Sequence, residues 1–286
     1  MSSFKKHIKI FGKLLVTGIA LYWVLLKIDV SELLSVLTNT DFLYLLPAII
    51  FFVFAKYLES LRFGVFLDSI EVMITRAENF KLYLLGMFYN LFFPGGIGGD
   101  FYKIYWIKKR CSVELKKVVV VSFFNRVVGM LALCTLALLC LPFVSLGVEI
   151  SPFSLLIVPA VYTLSYWVYK VRFGYLFKTF FSTSVLSFFI QLTQLVSAHC
   201  ILMSLGVSDL FFEYWFVYLV SGLVFILPIT IGGVGAREIV FVYGADILSI
   251  DISIAIALSL VIYSMRILVS LGGLNYMLKP DNINLK

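Results

Sequence analysis

The stretch Asn90-Leu91-Phe92-Phe93-Pro94-Gly95-Gly96-Ile97-Gly98-Gly99-Asp100 decides how this chain is read. It closes the apolar run Phe80–Phe93, which at 14 residues is shorter than the roughly 20 that a membrane crossing needs. A proline and four glycines then end any regular helix. The pattern predicts a helix that dips into the bilayer and turns back. A second stretch repeats it: the apolar run Phe211–Ile231 contains Pro228 and meets Gly232-Gly233-Val234-Gly235-Ala236-Arg237-Glu238.

Six other apolar runs read as full crossings: Ile8–Leu26, Phe42–Tyr57, Val118–Leu141, Phe153–Tyr169, Phe180–Leu205 and Ile252–Met277. The expected fold is therefore an all-α integral membrane protein with six transmembrane helices and two re-entrant helical hairpins, residues 1–286 forming a single membrane domain. Composition agrees. Of 286 residues, 62% are hydrophobic and 14% charged, against about 45–50% and 25% in soluble domains. Mean hydropathy is +1.04. A water-exposed globule is excluded, and little chain is left for a soluble domain. Lys5, Lys6 and Lys9 before Phe11–Leu26 resemble a signal peptide, but no small-x-small site ends the run before Lys27, so it reads as an uncleaved first span.

The net charge of +7 could suggest nucleic acid. However, the basic residues lie between apolar runs, where membrane topology accounts for them and no nucleic-acid partner is expected. With both Gly-rich segments as hairpins, the same side receives Lys5, Lys6, Lys9, Lys13, Arg62, Arg76, Lys81, Lys103, Lys108, Lys109, Arg110, Lys116, Lys117, Lys170, Arg172, Lys178, Lys279 and Lys286. These are 18 of the 23 Lys and Arg residues. That side is cytoplasmic by the positive-inside rule, which puts both termini there and the protein in the plasma or inner membrane.

Gly95-Gly96-Ile97-Gly98-Gly99 aligns with Gly232-Gly233-Val234-Gly235-Ala236 at an offset of 137 positions. Three crossings lie between them, an odd number, so the two hairpins enter from opposite faces. The candidate inverted repeats are 42–141 and 180–277.

Irregular backbone at membrane depth requires protein or a wet cavity around it. Glycine N–H groups converging there, beside a half-helix beginning near Asp100 or Arg237, suit a phosphate-bearing headgroup. Equally, the glycines could serve only a tight turn and close helix packing. No Gly-Lys-Ser/Thr ending or βαβ context marks a nucleotide site. Arg126, in Asn125-Arg126-Val127-Val128-Gly129, sits in an apolar run and should face inward, toward phosphate or toward Asp100 or Glu238. Arg266 invites the same two readings. Arg62 stands near the cytoplasmic mouth as a possible headgroup contact, whereas Lys56 reads as a snorkelling lysine near a span end. Arg237 could contact an anion with Glu238 orienting it, or the two could form a local ion pair. Asn90 is assigned to loose backbone groups, and the Lys103–Lys117 run to orientation or anionic lipid. No His/Cys/Asp/Glu set has metal spacing, His199 reads as packing, and no cofactor or catalytic residue is assigned.

On these two loops and Asn125-Arg126-Val127-Val128-Gly129, the chain resembles the transmembrane region of lysylphosphatidylglycerol synthases and the wider flippase-like membrane family, over nearly its whole length. The resemblance implies movement of an anionic lipid or lipid-linked glycan between leaflets. It marks Pro94, Gly95, Gly98, Asp100, Arg126, Gly232, Gly235, Arg237 and Glu238 as the core of the site. Gly96, Gly99, Gly233, Arg62 and Arg266 complete the candidate substrate-binding set. Many relatives place arginine three residues after the acidic loop residue, where this chain has Lys103. The chain ends at Lys286 without the synthases' soluble aminoacyl-transfer domain, so it is not expected to make lysylphosphatidylglycerol itself. Competing readings are an intramembrane enzyme using Asp100 or Glu238 as acid/base, and a non-catalytic partner of an envelope-synthesis enzyme. Homo-oligomerisation is compatible with any of the three.

Overall fold

The computed structural model describes residues 22, 26, 27, 29–92, 97–145, 155–226 and 235–278. Most of these are helical, with no strand among them. In chain order the helices are α1 (Val30–Thr38), α2 (Phe42–Asp68), α3 (Arg76–Phe92), α4 (Gly98–Arg110), α5 (Leu115–Cys140), α6 (Ile157–Arg172), α7 (Gly174–Phe177), α8 (Phe180–Ser204), α9 (Phe211–Ile226), α10 (Ala236–Leu248) and α11 (Ile252–Leu278). Asp29 starts α1, accepting hydrogen bonds from the Ser31 hydroxyl and the Ser31 and Glu32 N–H groups. These bonds, the Ser31 hydroxyl first, hold its carboxyl below the usual carboxylate range. Asp41 starts α2 by accepting from the Leu43 N–H at 2.9 Å.

Four helical segments are long and apolar enough to cross a membrane: Phe42–Asp68, Leu115–Phe143, Phe180–Ser204 and Ile252–Leu274. The expected first crossing, Ile8–Leu26, lies almost wholly outside the described residues, as does the start of the Phe153–Tyr169 run. The two runs that lead into the Gly-rich segments form the shorter helices α3, of 17 residues, and α9, of 16.

One expected boundary changes. The run ending at Tyr57 continues as α2 to Asp68, so Arg62 lies inside a helix and not in a cytoplasmic connection. Helix continuation keeps the backbone hydrogen-bonded where no water competes. Lys56, Glu59 and Arg62, three residues apart, fall on one inward-facing side and are all buried.

α2 packs most extensively on α8, α11 on α3, and α9 on both α5 and α10. Ser197 of α8 donates to the Ala48 carbonyl of α2 at 2.7 Å, where both helices present fully buried alanines. Two apolar cores result. One contains Phe52, Leu133, Leu136, Leu195 and Ala198, with much of α9 to α11. The other contains Phe63, Phe66, Leu85, Phe124, Val128, Tyr169 and Phe180. α2, α5 and α8 each pass from one core to the other, and each places polar side chains near the change-over: Lys56, Glu59 and Arg62; Asn125 and Arg126; Gln191 and Gln194. A polar layer thus separates two greasy ones.

Close backbone approach explains two glycines. A Cβ on Gly99 of α4 would run into the backbone of Gly86 on α3, so these helices touch main chain to main chain. A Cβ on Gly273 of α11 would likewise strike the Leu84 backbone.

Candidate functional site

The polar layer encloses a cavity of about 220 Å³. Its wall carries six cationic side chains, Lys56, Arg62, Lys103, Arg126, Arg237 and Arg266, against two carboxylates, Glu59 and Asp100.

The carboxylates are already engaged. Glu59 accepts from Lys56 Nζ at 2.7 Å, from Gln194 Nε2 at 2.5 Å and from the Tyr83 hydroxyl. Gln194 in turn accepts from Tyr218 at 3.4 Å. Asp100 bridges Lys103 Nζ at 2.8 Å and Arg126 Nε. Lys103 also lies 4.7 Å from the Phe63 ring centroid and 5.1 Å from that of Tyr83.

The other three arginines have no carboxylate at ion-pair distance among the described residues. Neutral groups hold them. Arg62 donates from Nε to Asn125 Oδ1 at 2.9 Å and from Nη1 to Ser187 Oγ at 2.8 Å. Gly129 makes room for it, since a Cβ there would sit 3.2 Å from Nη1. Arg237 donates from Nε to Ser221 Oγ at 3.3 Å and lies 5.6 Å from the Tyr218 ring and 5.5 Å from the Phe241 ring. Arg266 stacks 4.0 Å from the Phe225 ring centroid. A guanidinium has five donors in a rigid fork, so each of these arginines retains donors beyond its protein contacts.

Arg62, Asp100, Arg126, Arg237 and Arg266 from the candidate set therefore meet at one cavity, although they come from α2, α4, α5, α10 and α11. Gly98, Gly99, Gly235 and Glu238 are described but are not among the lining residues. Gly99 packs on Gly86, and its N–H donates to Asn90 Oδ1 at 2.7 Å, the backbone role expected of Asn90. Gly235, at φ 86°, starts α10, and its N–H donates to Glu238 Oε2 at 2.7 Å. Glu238 Oε1 accepts from Ser259 at 2.8 Å. The positive ends of α4 and α10 are thus complemented within the chain, each by an acid in its first turn. The unmatched positive charge of the site comes from side chains, not from helix ends. Pro94, Gly95, Gly96, Gly232 and Gly233 lie outside the described residues.

Two lysines change role. Lys56 does not snorkel: it is 8% exposed, paired with Glu59 and 5.1 Å from the Phe52 ring. Lys103, grouped with the surface run 103–117, is 5% exposed and turned into the cavity. Tyr83, Gln191, Gln194 and Tyr218 are not among the sequence candidates, and Glu59 enters the sequence reading only as the acid between Lys56 and Arg62. Lys56-x-x-Glu59-x-x-Arg62 and Gln191-x-x-Gln194 carried the signal, polar residues repeating at helical spacing inside apolar helices. His199 packs edge to face against Phe211 and Trp215, as expected.

Fold and site together define a polytopic helical membrane protein with a mainly cationic cavity between two apolar cores. Residues 10–182 match the family described as the lysylphosphatidylglycerol synthase TM region, and the chain belongs to that family. The match includes Arg62, Asp100, Lys103 and Arg126 and ends before the second Gly-rich segment, so it covers less of the chain than the resemblance drawn from both motifs. A comparison with curated proteins finds no match.

Proposed function

We propose that this protein carries an anionic lipid headgroup, of a phospholipid or a polyprenyl-linked precursor, between the leaflets of the plasma membrane, without itself synthesising the lipid. One observation carries the reading: Arg62, Arg237 and Arg266 line a single cavity within the helical bundle with no carboxylate at ion-pair distance among the described residues. Placing cations at membrane depth costs several kcal/mol each unless they are compensated. An anion that moves through the cavity supplies the compensation while it is there and takes it away on leaving.

In this reading α3 with α4, and α9 with α10, are two re-entrant hairpins. Residues 42–141 and 180–277 are inverted repeats within a six-crossing fold whose termini are cytoplasmic. Each Gly-rich segment is followed by a helix with an acid in its first turn, Asp100 and Glu238, although at the 137-residue offset Asp100 aligns with Arg237. The enzyme alternative needs a carboxylate free to exchange a proton. Asp100 is bridged by two cations, and Glu238 accepts from Gly235 and Ser259. Both arrangements favour a carrier.

Reconstitution into vesicles with fluorescent phosphatidylglycerol and a fluorescent prenyl phosphate tests the reading. Transbilayer movement should exceed that in protein-free vesicles. Arg126→Ala and Arg237→Ala should each slow it about tenfold or more, the equivalent of one charge-assisted contact of roughly 1.5–3 kcal/mol. Folded protein that moves every such lipid no faster than empty vesicles would overturn it.

A further inference from the structure

The charge balance of the cavity specifies more than a generic anion. Lys56 is neutralised by Glu59, and Asp100 offsets one of its two partners, Lys103 and Arg126. Among the described residues the wall carries six cations against two anions, and Glu238, buried just behind it and attracting Arg237 and Arg266, leaves an excess of three positive charges.

The excess is spread over two walls. Arg62 is fixed by α5 and α8 through Asn125 and Ser187. Arg237 and Arg266 both lie against one face of α9, formed by Tyr218, Ser221 and Phe225 at helical spacing. A single phosphodiester, with one negative charge, would engage one wall and leave most of the excess unmatched at low dielectric.

Resting on the carrier reading above, we infer that the cavity selects a diphosphate group over a single phosphate, with Arg62 holding one phosphoryl unit and Arg237 with Arg266 the other. Two linked phosphoryl groups bring two or three negative charges and enough oxygens for bidentate contact at both walls. A pyrophosphate unit is small enough for about 220 Å³. Whether the diphosphate is the head of a lipid or a free anion is left to the probes.

The test uses the full chain in phosphatidylcholine nanodiscs and compares the Kd of farnesyl diphosphate, farnesyl monophosphate and inorganic pyrophosphate. Farnesyl diphosphate should bind about tenfold or more tightly than the monophosphate, one added charge-assisted contact. Arg266→Gln should bring the two close together, and Arg266→Lys should recover part of the difference. Exposed Lys117→Gln should leave both unchanged. Pyrophosphate binding as tightly as farnesyl diphosphate would assign the site to a free anion; pyrophosphate binding much more weakly assigns it to a lipid head. Equal binding of mono- and diphosphate in the wild type, or a ratio untouched by Arg266→Gln, overturns the inference. If vesicles still move phosphatidylglycerol in that case, the carrier reading survives. If diphosphate selectivity holds but no lipid moves, the carrier reading fails and the site remains.

Discussion

Glu59 is the residue on which the polar layer turns, because it joins α2, α3 and α8 through Lys56, Tyr83 and Gln194. Glu59→Gln removes the negative charge and leaves the Lys56 ammonium buried without compensation. Breaking one half of a buried pair costs about 3–5 kcal/mol, whereas replacing both halves is far cheaper. The single variant should therefore unfold at a clearly lower temperature in detergent, and Lys56→Met with Glu59→Gln should recover most of the loss. Additive effects in that double-mutant cycle would show that the two do not act as a pair. Arg126 and Arg266 could be singled out from the sequence because a charge in an apolar run is costly and so needs a reason, and Arg237 because it follows a Gly-rich segment. Lys56 and Lys103 could not. The first lay near the apparent end of an apolar run and the second inside a basic cluster, where solvent exposure is the ordinary expectation.

At the scale of helices, α3 and α4 depend on contact between Gly86 and Gly99. A methyl group at Gly99 meets backbone, which cannot rotate away as a side chain can. Gly99→Ala should cost about 1–3 kcal/mol through overpacking and should lower expression or thermal stability in detergent. Gly174→Ala, with nothing near the added methyl, should stay within about 0.5 kcal/mol of the parent. Equal tolerance of both changes would mean that α3 and α4 are not in backbone contact. The sequence pointed to the crossings at α2, α5, α8 and α11, because long apolar runs have few alternatives. It misplaced the end of α2, since hydropathy stops counting at Lys56 while the helix continues, its polar side chains turned to a shared interior.

For the molecule as a whole, the decisive question is which faces the Gly-rich segments approach. Single cysteines introduced at positions 95–99 and 232–236 of a variant lacking the native cysteines should be reached by a membrane-impermeant thiol reagent from opposite sides of oriented vesicles. Bulkier reagents should react more slowly. Rapid labelling of both segments from one side would remove the inverted arrangement. Apolar run length, Lys and Arg placement and the Gly-rich motifs were enough to establish a helical membrane protein and its family, because bilayer thickness and the cost of unpaired backbone restrict a chain this greasy to few forms. Linear order could not show that Arg62, Arg126, Arg237 and Arg266 share a cavity, nor that Glu59 pairs with Lys56 and that Asp100 holds Lys103 as well as Arg126. Those pairings depend on how α2, α4, α5, α10 and α11 pack, and over such separations charge balance is a property of the assembled bundle.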